Sequence, residues 1–381
     1  MSAWLLVGIA LLLLLLGVPL FVVIGAVTFL AVLTVEGGVT GITWSFFQDN
    51  EDLLAGIIAD MFEAVSKEVL LAIPFFVLAG GIMTAGGISN RLIAVAKAAI
   101  GWVPGGLAVS AVISCAFFAA ISGSSPVTVI AIGTILFPAL VSEGYPKRFS
   151  MGLLTTSGSL GILIPPSIPM ILYAIMVSSP RNRVSVTDLF IAGILPGLLI
   201  TLLLSGYAIL HETLRASRGE SSVRTPFSWK RFARSLREGI WSLLLPVLIM
   251  GGIYSGFFTA TESAAVAVVY ALVVEVFIHR EVRIADLPKI CIESALLMGT
   301  LFPILVIAIA LNRFLTIEQI PQAGAELIGG IVQSRWAFLL VVNLFLLALG
   351  CLMDIISAIL IVAPILATMA GSFGIDPIHF G

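Results

Sequence analysis

The sequence predicts an all-α polytopic membrane protein built as two inverted-topology repeats with re-entrant hairpins and broken helices. Three observations predict it. Of 381 residues, 60% are hydrophobic and only 10% charged, where a soluble domain carries roughly 25% charge. Stretches such as 3–33, 189–210 and 290–311 are long enough to span ~30 Å of hydrocarbon. Two polar interruptions, Ala120-Ile-Ser-Gly-Ser-Ser-Pro126 and Gly161-Ile-Leu-Ile-Pro-Pro-Ser-Ile-Pro169, stand where an unbroken helix would best satisfy the backbone in lipid.

The basic residues set the expected orientation. Arg215, Arg218, Arg224, Lys230, Arg231, Arg234 and Arg237 crowd into the only long polar stretch. Loops rich in Lys and Arg stay in the cytoplasm, so residues 211–240 are expected to be a cytoplasmic linker. Counting outward from it, residues 1–34 form a first span with a cytoplasmic N-terminus. The opening Met-Ser-Ala-Trp has no basic n-region or cleavage signal, so this stretch reads as a span and not as a removed signal peptide. Residues 36–68 carry seven acids against Lys67 and suit the outside or its interface. Residues 69–84 return to the inside, where Arg91 and Lys97 lie.

Two apolar legs follow, 106–121 and 126–142. Each is about as short as a spanning helix can be, and both outer ends are basic or lie near basic residues. A re-entrant hairpin over about 105–142 fits this; two full spans joined by an external serine turn are the alternative. Residues 150–178 then cross outward, broken at Gly161–Pro169, and Pro180-Arg-Asn-Arg183 lies outside. The second half repeats the plan upside down: out at 241–258, in at 261–279, out at 290–311. Its own hairpin, about 336–370, is interrupted at Met353-Asp-Ile-Ile-Ser357. The organisation is therefore a first repeat over 1–210, the linker 211–240, and a second repeat over 241–381. Broken segments at matching places in two oppositely oriented halves point to the binding site of a secondary transporter.

The breaks carry oxygen chemistry. Ser122, Ser124 and Ser125 offer hydroxyls, and Gly123 allows a sharp turn. Hard cations take neutral or anionic oxygens, and unwound transporter helices supply them. The helix that starts at Pro126 can receive a carboxylate at its N-terminus. A serine-lined kink packed on its neighbours is the structural alternative. In the second interruption, Pro165, Pro166 and Pro169 have no N–H to give. The carbonyls of Gly161, Ile162 and Pro165 are thereby freed, with that of Ile164 beside them; a plain hinge is the other reading. Asp354 is an acid inside an apolar hairpin, where translocon scales charge ~2.5–3.5 kcal/mol, so a cation or proton partner is expected unless it is exposed. Thr259 and Glu262 are expected to cap the helix that follows them. Cys115, Cys291 and Cys351 fall in apolar segments and read as small buried hydrophobes. His211, His279 and His379 read as loop residues.

The runs Ile73-Pro-Phe-Phe-Val-Leu-Ala-Gly80, Ala119-Ala-Ile-Ser-Gly-Ser-Ser-Pro126, Gly158-Ser-Leu-Gly-Ile-Leu-Ile-Pro-Pro-Ser167, Gly256-Phe-Phe-Thr-Ala-Thr-Glu262 and Gly374-Ile-Asp-Pro-Ile-His-Phe380 resemble the large membrane subunit of tripartite ATP-independent periplasmic (TRAP) transporters. The resemblance implies a bacterial or archaeal inner-membrane permease with an elevator-type ion transporter fold, driven by Na⁺, with no other cofactor. It implies two protein partners, a small four-helix membrane subunit and a periplasmic substrate-binding protein, besides membrane lipid and without nucleic acid. The cargo would be an organic acid, such as a C4-dicarboxylate or sugar acid. Ser122, Ser124, Gly161, Ile164 and Pro166 would bind one Na⁺, with Gly123 and Ser125 in the same substrate-facing tip. Asp354 and Ser357 would lie at a second Na⁺ site. Such a fold would also continue past Gly381 with a second interrupted helix.

No G-x-x-x-x-G-K-[ST] loop is present for an ATP-driven pump, and no H-E-x-x-H for a metalloprotease, so an enzyme is not expected. An ion channel, or a Na⁺-coupled anion transporter working without a binding protein, remains the alternative.

Overall fold

A computed structural model describes residues 8–9, 12–13, 16–36, 51–178, 183–217, 226–332, 334–351 and 353–381. Residues 180–182 of the expected outer loop, residues 37–50 of the expected acidic stretch 36–68 and the centre of the linker at 218–225 lie outside the described residues. Those described form helices and turns, with no strand among them. Among the described residues, seven helices are long and apolar enough to cross a membrane, or eight if one bent pair counts as a span. The chain is thus a polytopic helical membrane protein.

The chain divides into two compact units, one of residues 71–171 and 185–295, the other of 1–70, 172–184 and 296–381. Each unit draws on both halves of the sequence. Packing and internal repetition are different properties, and this division bears on the first alone.

In the first of these units, helix Ala72–Ala85 packs against helix Ala260–Leu272. Ala79, Gly80, Ala264, Ala267 and Ala271 are buried along them, the small-residue contact that lets membrane helices approach closely. Thr259 and Glu262 form the expected capping box: the Thr259 hydroxyl accepts from Glu262 N–H, and the carboxylate accepts from Thr259 N–H at 2.8 Å. The helix ends in a π-turn, Val273–Ile278, whose Glu275 is fully buried. There Gly87 N–H donates to Glu275 Oε2 at 3.4 Å, and Arg91 donates to both oxygens of Glu281 at 3.1 and 2.7 Å. That bidentate bond holds the Glu281 carboxyl below its usual range.

Helices Gly106–Ser122 and Ser125–Ser142 pack as the first hairpin. Its outer end is tied down: Glu143 pairs with Lys97 at 2.9 Å, and Arg215 donates to the Gly144 carbonyl at 3.0 Å. Phe149 stacks on His211, ring centroids 3.9 Å apart. His211 is therefore no loop residue but sits within helix Val186–Ala216, and His379 lies in the short helix Pro377–Phe380. Helices Val186–Ala216 and Trp229–Tyr254 both extend into the expected linker 211–240.

In the other unit the first span is not one straight helix. Gly17 turns left-handed at φ +72, and Val18 N–H closes back on the Leu13 carbonyl at 3.1 Å, a helix C-cap. Helix Leu20–Glu36 begins immediately after Pro19. Asp60, on helix Glu51–Val65, pairs with Arg313 at 3.3 Å. Helices Arg335–Gly350 and Ile355–Ser372 form the second hairpin, with Phe338 stacked on Phe373 at 4.6 Å. Of the cysteines only Cys115 is buried; Cys291 and Cys351 are exposed on their helices, because an apolar membrane segment presents its outer face to lipid and not to a core.

Candidate functional site

The first hairpin ends in a left-handed glycine. Helix Gly106–Ser122 stops at Gly123, whose φ is +60, and Ser124 follows in extended conformation as N-cap of helix Ser125–Ser142. A side chain at Gly123 would be strained by that φ, and its Cβ would lie 2.6 Å from the Pro166 carbonyl oxygen. Gly161 makes the matching approach from the other segment, where an added Cβ would lie 2.5 Å from the Ser124 carbonyl oxygen. The two interruptions therefore meet backbone to backbone, and the two glycines allow it.

Hydrogen bonds stitch them. Ile168 N–H donates to the Gly123 carbonyl at 3.1 Å. Within the tip, the Thr128 hydroxyl donates to the Ser124 carbonyl at 2.8 Å and lies 2.9 Å from the Ser122 hydroxyl. With its proton engaged on Ser124, Thr128 is left to accept from Ser122. The Ser124 side chain makes no capping bond. Ser122, Gly123 and Thr128 are buried, and Ser124 and Ser125 are partly buried.

The second interruption is broken as expected. Helices Lys147–Gly158 and Leu160–Leu163 end at Ile164, which is extended, and helix Ile168–Val177 restarts after a 46° bend. One expectation is corrected. The Ile162 carbonyl is not free, because the Ser167 hydroxyl replaces the missing proline N–H and donates to it at 2.6 Å. Ser167 also accepts from Met170 N–H at 3.5 Å and so caps the restarted helix. Ile164 packs its side chain on helix Val186–Ala216 at Gly197, and Gly193 faces the Leu163 carbonyl. Small residues again let a neighbouring helix back the break.

Thus Ser122, Gly123, Ser124, Ser125, Gly161, Ile164 and Pro166 are gathered in one region. Thr128 and Ser167 belong with them and were given no role by the sequence. Thr128 lies four residues beyond Ser124, a helix-face spacing that would have located it. The oxygens assembled here are neutral hydroxyls and carbonyls, a donor set that suits a hard monovalent cation.

Asp354 and Ser357 form a local pair in the other unit. Asp354 is exposed and caps helix Ile355–Ser372, accepting from Ser357 N–H at 3.1 Å. The Ser357 side chain is fully buried, and its hydroxyl has no partner among the described residues. A cavity of about 690 Å³ opens beside this tip, lined by Met353 and Ile355 together with Tyr173 and His379. The Tyr173 hydroxyl donates to the Pro377 carbonyl at 2.7 Å.

Residues 7–381 match the family model described as the tripartite ATP-independent periplasmic transporter, DctM component. The chain is 39% identical over 390 aligned residues to the C4-dicarboxylate TRAP transporter large permease protein of Rhodobacter capsulatus, covering 100% of this chain and 84% of that protein. It is 44% identical over 332 residues to the protein of the same description from Pseudomonas aeruginosa, covering 87% and 76%. It is also 33% identical over 369 residues to the ectoine TRAP transporter large permease protein of Halomonas elongata, covering 97% and 82%. Among solved structures, the YdaH transporter of Alcanivorax borkumensis aligns with a TM-score of 0.59 at 18% identity, covering 98% of this chain and 84% of that one. That likeness is one of fold.

Proposed function

The chain belongs to the DctM component family of tripartite ATP-independent periplasmic transporters, and from that premise we propose that it is the permease subunit of a Na⁺-coupled importer of an organic acid. A periplasmic binding protein delivers the acid, and a small four-helix membrane subunit completes the complex in the inner membrane. The N-terminus and the basic stretch around Lys230 face the cytoplasm, as the distribution of Lys and Arg requires. The two halves act as inverted repeats in an elevator-type cycle, each with one hairpin.

The observation that carries this reading is the meeting of the two interruptions. Ser122, Gly123 and Ser124 lie against Gly161 and Pro166 inside otherwise apolar helices, so hydroxyl and carbonyl oxygens converge away from water. One Na⁺ is held there by Ser122, Ser124, Gly161, Ile164 and Pro166. The start of helix Ser125–Ser142, with Ser125 at its head, receives the carboxylate of the cargo. Asp354 and Ser357 contribute to a second Na⁺ site. The cargo is a carboxylate, in keeping with relatives named for C4-dicarboxylates and ectoine.

Proteoliposomes containing this chain and its two partners test the proposal. Uptake of a radiolabelled C4-dicarboxylate should require an inward Na⁺ gradient and the binding protein. Uptake indifferent to Na⁺ would overturn the coupling. Uptake at full rate without the binding protein would place the chain with transporters that work alone, and current without cargo would place it with channels.

A further inference from the structure

We propose that the beginning of helix Trp229–Tyr254 is a binding site for the phosphate headgroups of anionic phospholipids. The helix has 26 residues, which at 1.5 Å each is ~39 Å, roughly two turns longer than the ~30 Å of hydrocarbon in a bilayer. Its first turns must stand among the headgroups.

The unpacked face of the helix shows where the boundary falls. Gly239, Ser242, Leu245 and Ile249 are buried on the packed side, and Gly239 abuts Val95 of helix Ile88–Ile100. On the opposite side the residues at helical spacing are Lys230, Arg234 and Arg237, followed directly by Ile240, Leu244 and Val247, all exposed. The same stripe therefore changes from cationic to apolar within one turn. A stripe facing only water would have no reason to become apolar, and one facing only acyl chains would carry no cations.

Two further features fix the level. Exposed Phe227 and Trp229 cluster with the partly buried Phe232, with centroids 5.6 to 6.4 Å apart, and Trp is the residue that settles at the membrane interface. Arg231 flanks the stripe, which brings the cations to four. The only acid among residues 229–240, Glu238, is exposed and lines a cavity with Arg91 and Ser235, and among the described residues no ion pair joins it to Lys230, Arg231, Arg234 or Arg237. The basic face is thus left without its own counter-charge, directly above lipid-facing side chains. Anionic headgroups supply that charge.

Quenching of tryptophan fluorescence by brominated lipids tests this on the whole chain in bilayer vesicles. The Trp229 signal is taken as the difference between the protein and its Trp229→Phe variant. It should show a preference of about tenfold for brominated phosphatidylglycerol over brominated phosphatidylcholine. Raising KCl from about 0.05 M to about 0.5 M should bring that preference close to unity, because screening shortens the reach of the charges. The combined change Lys230→Gln, Arg231→Gln, Arg234→Gln and Arg237→Gln should do the same at low salt. Exchanging each of the four for the other basic residue should leave it. A preference that ignores both salt and the glutamine substitutions overturns the proposal. So does displacement by inorganic phosphate, which would mark a site for soluble anions. So does a Trp229 that no brominated lipid quenches, which would mean that protein covers the face. If the glutamine variant does not insert, the salt series on the unaltered chain decides.

Discussion

The two hairpin tips solve the same problem differently. Each must end one helix and start another within apolar sequence, leaving backbone groups without helical partners. The first tip is satisfied from outside: the Gly123 carbonyl takes the N–H of Ile168 from the broken helix. The second tip is satisfied from within: Asp354 caps its own helix through Ser357 N–H. A tip bonded to a neighbouring segment depends on that segment's position. A self-capped tip keeps its structure wherever its surroundings move. The first tip is accordingly the one in which geometry is most tightly set, and alteration there should be felt most.

The largest effect expected is that of Gly123→Ala. Its φ of +60 and the Pro166 carbonyl 2.6 Å from the added Cβ leave no place for a methyl group. Uptake in the reconstituted system should fall by more than about tenfold, and the thermal midpoint should drop. Gly350→Ala, close to the second tip, meets nothing within 4 Å and ends a helix. It should leave both measurements nearly unchanged. Equal losses from the two substitutions would erase the distinction between the tips.

Thr128→Val should come next. It keeps the shape and removes the hydroxyl that bonds the Ser124 carbonyl and the Ser122 hydroxyl. The Ser124 carbonyl keeps the Thr128 N–H at 3.1 Å, so the loss falls mainly on the buried Ser122 hydroxyl and costs roughly 1–3 kcal/mol. If those oxygens hold Na⁺, the concentration of Na⁺ giving half-maximal uptake should rise by about tenfold, on the same free-energy scale. An unchanged Na⁺ dependence would reduce Thr128 to a packing residue and remove the tip's claim on the ion.

This division explains what could be read from the residues alone. Pro165, Pro166 and Pro169 cannot complete a helix, and Gly123 breaks the serine run, so both interruptions were visible as local chemistry. That they meet was not visible, because the approach rests on two glycines 38 residues apart, at positions 123 and 161. Ser167 stands in the motif, but nothing local marks it as the substitute donor for Ile162, since only the bend places its hydroxyl there. The Gly17 turn was hidden by its setting, an almost uniformly apolar stretch in which a helix and a break look alike by composition. The Arg91–Glu281 pair joins residues 190 apart, and no local pattern announces it. The exposed sulfurs of Cys291 and Cys351 were missed for a different reason: in a membrane protein the apolar residues do not say which face is inside.

A smaller effect should separate charge from capping at the second tip. Asparagine caps a helix as well as aspartate, whereas alanine loses about 1 kcal/mol. Asp354→Asn should therefore keep the thermal midpoint, and Asp354→Ala should lower it modestly. If the carboxylate compensates a cation, both should reduce Na⁺-driven uptake. Normal uptake by Asp354→Asn would make Asp354 a cap and nothing more, consistent with its exposure.

The smallest effect belongs to Ser357→Ala, and it discriminates most finely between the tips. The Ser357 hydroxyl is fully buried without a partner among the described residues, so removing it takes away an unsatisfied polar group. In Na⁺-free buffer the substitution should leave stability unchanged or raise it by a few tenths of a kcal/mol. Ser122→Ala should do the opposite, because the Ser122 hydroxyl is already bonded to Thr128. Adding Na⁺ then separates the roles. A ligand that binds only the folded state stabilises by RT ln(1 + [L]/Kd), so a protein with Ser357 among its ligands should gain more from Na⁺ than its alanine variant. Thermal unfolding of the two proteins across a Na⁺ titration, with choline as the control cation, measures that gap. If the curves stay parallel, the Ser357 hydroxyl is not an ion ligand, and the self-capped tip owes its buried serine to packing alone.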